Sequence, residues 1–131
     1  MAYLEEKKEQ LEKALASWKE ALDAPLTDIA RDAAIQRYEF SFELLWKVVK
    51  IFLKEIEAVE CSSPKSCFRE ARNIIGISEK EIEICLAMAE DRNLSVHTYS
   101  EKMAMELYNK FPGYLETSLK VLEKIKEKSE K

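Results

Sequence analysis

The sequence predicts an all-α protein, an antiparallel up-and-down bundle of five or six helices forming one domain over residues 1–131. Three observations predict it. Apolar residues recur every three or four positions among Glu and Lys along most of the chain, the pattern of amphipathic helices. Only 2 Gly and 3 Pro occur, too little turn chemistry for the many hairpins of an all-β fold. With 131 residues, 47% of them hydrophobic, the chain is long enough for one sizeable core and short for two domains.

Leu4, Leu11, Leu15, Trp18 and Leu22 define a first helix to about Asp23, which Pro25 breaks. Thr27 or Asp28 caps a second, longer helix running toward Val59. Ser63-Pro64, a cap followed by proline at the first helical position, opens a third, and Gly76 closes it after Ile75. Ser78 and Glu81 have capping-box spacing and open a fourth helix through Ile84, Leu86 and Met88. From Asp91 to Ser100 no periodicity is clear. A fifth helix follows from about Ser100 to Phe111, where Pro112-Gly113 is expected to interrupt it. Leu115, Leu119, Leu122 and Ile125 form one stripe on the last segment.

On a helical wheel of the second helix, Asp32, Gln36, Glu39, Glu43, Lys50 and Lys54 fall in one narrow polar arc. Apolar residues take most of the remaining circumference. Such a helix is either central in the bundle or covered by a second copy of the chain. Arg31 and Arg37 lie off the polar arc, where arginine snorkels or pairs with a carboxylate such as Asp32. Trp18 and Trp46 sit at core spacing. Lys65, Arg69 and Arg72 give the third helix a basic face, which reads first as a solvated one.

With 21 basic and 25 acidic residues the net charge is −4, which excludes a general basic coat for nucleic acid but not a local basic cleft. No signal peptide and no apolar run of bilayer length is visible, so a cytoplasmic protein with no membrane role is expected. Cys61, Cys67 and Cys85 lack zinc spacing, so no metal site is expected and all three read as reduced thiols.

The segment that could carry chemistry is Asp91-Arg92-Asn93-Leu94-Ser95-Val96-His97-Thr98-Tyr99. It holds the only histidine, a group that titrates near neutrality and can move a proton. Arginine offers a planar fork for a phosphodiester and for charge developing on it. Together they can support metal-free attack of an RNA 2′-hydroxyl on the adjacent phosphate. On a continuous helix, Arg92 and His97 would point roughly 140° apart. They converge only if a helix ends between them or a second subunit supplies its own copy. Taken alone, the pair fits a hydrogen-bonded structural histidine better than a catalytic one.

The context shifts that balance. The stretch Arg31-Asp32-Ala33-Ala34-Ile35-Gln36-Arg37-Tyr38-Glu39-Phe40-Ser41-Phe42-Glu43-Leu44-Leu45-Trp46-Lys47, followed by Arg92-Asn93-Leu94-Ser95-Val96-His97-Thr98-Tyr99, resembles the HEPN-fold nucleotidyltransferase substrate-binding proteins. These are the small partners of minimal nucleotidyltransferases, and the resemblance spans nearly the whole chain. It implies a helical homodimer that assembles with a cognate minimal nucleotidyltransferase. Many HEPN proteins carry an R-x4–6-H motif and act as metal-independent endoribonucleases, the two motifs meeting across the dimer. Arg92 and His97 match that motif at its shortest spacing, and Asn93 matches the polar residue often found after the arginine. In toxin–antitoxin pairs the motif extends to R-x4-H-x-Y, and the partner transfers AMP to the tyrosine. Tyr99 stands at that position.

The resemblance thus implies an endoribonuclease toxin with catalytic Arg92, His97 and Asn93, RNA as substrate and Tyr99 as AMP acceptor. It needs no cofactor of its own, ATP or another NTP being used by the partner. The second reading is a non-catalytic subunit whose cleft, lined by Arg31, Asp32 and Arg37, holds a nucleotide for the transferase. The third is a purely structural helix bundle. The chain lacks a glycine-rich phosphate loop and a paired acidic metal site, so it is not itself the transferase.

Overall fold

The helix caps have chemical causes in the chain. The computed structural model describes residues 2–95 and 100–130. Its helices are α1 (Ala2–Asp23), α2 (Asp28–Glu57), α3 (Pro64–Ile75), α4 (Glu79–Ser95) and α5 (Glu101–Ser129). The all-α class follows, with five helices among the described residues. Thr27 caps α2, its hydroxyl accepting from the Ala30 N–H at 3.0 Å. The helix stops two residues short of Val59 because Ala58 turns into the left-handed region at φ 56°, and the Val59 N–H then closes on the Leu53 carbonyl at 2.9 Å.

Ser63 and Ser66 satisfy each other's backbone N–H at the start of α3, with Pro64 in its first turn. Gly76, at φ 75°, ends that helix with its N–H on the Arg72 carbonyl at 3.1 Å.

The capping box at Ser78 forms as the spacing predicts. The Glu81 N–H donates to the Ser78 hydroxyl at 3.1 Å, and the Ser78 N–H donates to the Glu81 carboxylate at 2.8 Å. That second bond holds the Glu81 carboxyl below the usual carboxylate range, with Lys120 at 3.6 Å assisting. Ser78→Ala should lower stability by about 1 kcal/mol. Because the shift is downward, the Glu81 contribution is present at neutral pH and is lost as pH falls below the ordinary glutamate range. Melting wild type and Glu81→Gln at pH 7 and pH 3 checks the sign: the gap should close at pH 3.

Two expectations are corrected. α4 continues through Asp91 to Ser95, because Asp91 is tied to α5 by the Tyr114 hydroxyl and by Lys110 at 3.1 Å. α5 runs unbroken through Pro112. Pro112 and Gly113 lie on its exposed side, while Phe111, Tyr114 and Leu115 are buried on the other. Their burial outweighs the single backbone hydrogen bond that proline removes.

Antiparallel and parallel neighbours both occur in the bundle. α1 is antiparallel to α2, with Arg37 reaching the Ser17 carbonyl, and to α5, with Lys8 against Ser129 and Glu12 against Lys126. α4 is antiparallel to α5, Asp91 lying opposite Tyr114 and Met88 opposite Ser118. α2 and α5 therefore run in the same direction, Arg31 facing Glu101 and Tyr38 facing Phe111. Both touch every other helix, so α2 is central in the bundle. At the core, Trp18, Tyr38 and Phe111 are each at most 1% exposed, with ring centroids 5.1 to 5.6 Å apart. No helix of the described residues is long and apolar enough to cross a membrane.

The expectation of three reduced thiols is corrected as well. Cys61 and Cys67 form a disulfide. The turn at Ala58 sends the chain back toward the first turn of α3 and brings their Cα atoms within 5.2 Å, inside the range a disulfide spans. Cys85 remains a thiol, and burial pushes its pKa up to about 12. Reducing the Cys61–Cys67 bridge should lower stability by about 2 kcal/mol, the loop-entropy value for so short a loop. Parallel thermal melts with and without dithiothreitol read this directly.

Candidate functional site

α4 is described as far as Ser95, and α5 is capped by Ser100, whose hydroxyl accepts from the Met103 N–H at 3.1 Å. Arg92 stands in the last described turn of α4, where a cation complements the helix dipole. His97 and Tyr99 lie outside the described residues.

The Arg92 guanidinium faces α2. Its Nε is 3.6 Å from one Glu43 carboxylate oxygen, and one terminal nitrogen is 3.9 Å from Glu39. The other Glu43 oxygen accepts from the Trp46 indole at 3.2 Å, and the Lys50 ammonium lies over the Trp46 ring at 5.7 Å. Arg92 and Glu39 are about three-quarters buried, so the pairs are only partly screened. Glu39 and Glu43 stand one helical turn apart, on the polar arc that the wheel picks out. Sequence reasoning did not connect them to Arg92. The signal was an i, i+4 carboxylate pair set between apolar residues of a central helix.

Behind Arg92 the site is closed by two phenols. Tyr38 donates its hydroxyl to the Met88 carbonyl at 2.6 Å, and Tyr114 donates to Asp91. Burial raises both phenols well above the usual tyrosine range, aided by the Asp91 charge, so neither supplies a proton near neutral pH. Asn93 is exposed on the same last turn of α4.

The arginines of α2 go elsewhere. Arg31 is 8% exposed and pairs with Asp32 at 3.1 Å, Asp28 at 3.6 Å and Glu101 at 3.9 Å. Arg37 donates to the Ser17 carbonyl at 2.7 Å and approaches Glu20 at 3.9 Å. Arg31 and Asp32 thus meet at the start of α2 near α5, whereas Arg37 is spent on α1. Neither arginine meets Arg92.

α1 and α4 do not touch each other among the described residues. The α2 stripe of Gln36, Phe40, Glu43 and Lys47 lies between its α1 side and the side where Glu39 faces Arg92.

The model of the family described as nucleotidyltransferase substrate binding protein like matches residues 6–127. The chain belongs to that family. Within curated proteins, this family member is similar to the "Probable ribonuclease HepT" of Haemophilus influenzae. The two are 27% identical over 120 residues, covering 87% of this chain and 80% of the relative. Among solved structures, a crystal structure of a protein from Thermus thermophilus matches at a TM-score of 0.83 and 39% identity, covering 88% of this chain and 98% of that one. The expected relationship to HEPN-type nucleotidyltransferase-associated proteins is thereby shown.

Proposed function

We propose that this family member is the ribonuclease half of a two-component nucleotidyltransferase module, a metal-independent endoribonuclease active as a homodimer. The observation that carries the reading is the Arg92 guanidinium, held about three-quarters buried in the last described turn of α4 and five residues before His97 in the chain, a charged donor suited to a phosphodiester. The similarity to a protein named a probable ribonuclease supports it. His97 takes the 2′-hydroxyl proton, the 2′-oxygen forms a bond to the adjacent phosphorus, and the bond to the 5′-oxygen breaks. The products are a 2′,3′-cyclic phosphate and a 5′-hydroxyl, the latter protonated by the second His97 of the dimer. Arg92 neutralises charge on the phosphate, exchanging the carboxylates of Glu39 and Glu43 for phosphate oxygens, and Asn93 orients the phosphate.

Regulation follows from Tyr99. The partner nucleotidyltransferase joins the tyrosine oxygen to the α-phosphorus of ATP with release of pyrophosphate. The added AMP places negative charge and bulk two residues from His97, which opposes RNA entry. The test is cleavage of total RNA in EDTA by the purified chain beside His97→Ala. Cleavage by wild type alone is expected, and absence of cleavage by folded, unmodified dimer overturns the reading.

The family's description as substrate binding favours one alternative, a non-catalytic subunit presenting a nucleotide to the transferase. Arg31 and Asp32 would then be the recognition pair. Nucleotide binding that survives His97→Ala in the absence of cleavage would select it.

A further inference from the structure

The open stripe of α2 forms one wall of a groove of about 490 Å³, closed on the other side by α1. We infer that this α1–α2 groove binds single-stranded RNA flanking the cleavage site, with Phe40 as a stacking platform and Lys7, Lys13 and Lys47 as phosphate contacts. The inference rests on the nuclease reading and extends the same site.

Four observations carry it. The groove is continuous with the candidate site, because Glu43 lines its rim and also faces the Arg92 Nε at 3.6 Å. Its charge is opposite to that of the chain. Three of its lining residues are lysines and the one carboxylate, Glu43, already faces Arg92 and the Trp46 indole, whereas the chain as a whole carries −4. Its floor is apolar and aromatic: Phe40 is 40% exposed, the one phenylalanine among the exposed large apolar side chains of the described residues, with Leu44 beside it. Bases stack on such a ring whatever their identity, while lysines along the rim follow the backbone. Finally, an endonuclease must hold the strand on at least one side of the bond it cuts, and a site built on one arginine per subunit supplies little affinity of its own. A locally basic, aromatic groove reconciles an acidic protein with a polyanionic substrate.

The experiment measures binding of a fluorescein-labelled single-stranded RNA, fully 2′-O-methylated so that it cannot be cut, to the full chain by anisotropy over a salt series. Lys7→Gln/Lys13→Gln/Lys47→Gln and Phe40→Ala are compared with Lys80→Gln/Lys124→Gln/Lys128→Gln, which removes the same charge elsewhere. The groove triple variant should weaken binding about tenfold or more at low salt and flatten the log–log salt slope by about 2, roughly 0.7 for each phosphate that no longer meets a lysine. Phe40→Ala should weaken binding about tenfold with the slope unchanged. The control should match wild type.

Equal weakening by the groove and control triples, or an unchanged affinity in the groove triple, overturns the inference. So does a change in oligomeric state of Phe40→Ala by light scattering, since a second copy would then occupy the groove. Cleavage of unmodified RNA, run in parallel, keeps the two readings apart. RNA that is bound through the groove but never cut sinks the nuclease reading alone. RNA cut in a manner dependent on His97, with affinity indifferent to the groove, sinks this inference alone.

Discussion

Phe111→Ala is expected to lower the unfolding free energy by about 3–5 kcal/mol, a large share of the roughly 5–15 kcal/mol a domain of this size has. Phe111 is fully buried, meets Trp18 edge-on at 5.3 Å and Tyr38 at 5.1 Å, and is flanked by Tyr108 at 6.0 Å. Those rings come from α1, α2 and α5, so the void left by alanine cannot be filled by a shift of any one helix. Tyr38→Phe makes the matching mild change. It keeps the ring and removes only the hydroxyl that donates to the Met88 carbonyl, and it should cost about 1–2 kcal/mol. Urea denaturation of both variants tests the ordering. A cost near that of Tyr38→Phe for Phe111→Ala would show that the three rings do not organise the core.

Arg92→Gln is expected to reduce RNA cleavage by about 10²–10³-fold, the effect of removing one preorganised donor from a developing oxyanion. Its effect on stability should be moderate, about 1–2 kcal/mol, because the guanidinium is largely buried against Glu39 and Glu43 although both contacts are long at 3.9 and 3.6 Å. The two readouts separate catalysis from folding. Arg92→Lys should restore little, since a single ammonium cannot present the planar fork to two phosphate oxygens. Single-turnover cleavage rates at saturating RNA, beside thermal melts of the same preparations, measure both. A loss of cleavage that tracks loss of melting temperature would assign Arg92 a structural role.

The parts of the fold that local chemistry controls were legible in the chain. Thr27, Ser63-Pro64, Gly76, Ser78 with Glu81, and Ser100 all mark boundaries, because capping is decided within four residues. What the sequence concealed depends on distant partners. Pro112 reads locally as a break, yet α5 passes through it because Phe111, Tyr114 and Leu115 are fixed by other helices. The segment after Asp91 has no period of its own and is helical to Ser95 because Tyr114 and Lys110 hold Asp91. Cys61 and Cys67 meet because an alanine adopts a conformation that sequence assigns to glycine.

At the candidate site, Arg92 was legible from its spacing to His97. Its carboxylate partners on α2 were not, since no local rule links residues so far apart in the chain. The arginines of α2 show the converse: Arg31 and Arg37 looked alike on the wheel, but one faces α5 and the other α1.

The direction of the helices has a kinetic consequence. α1 with α2, and α4 with α5, are antiparallel neighbours that can zip from short connections, whereas α2 and α5 lie side by side in the same direction and meet only after the chain has travelled through α3 and α4. Closing that parallel contact carries the larger loop entropy and comes after the hairpins. The ring cluster of Trp18, Tyr38 and Phe111 straddles the seam, with two members on the first hairpin and one on the second. Docking of the α1–α2 and α4–α5 hairpins is thus the step expected to limit folding. In native-state hydrogen exchange, the amides of each hairpin should open as separate cooperative units before global unfolding, parting along the face of α5 that carries Phe111.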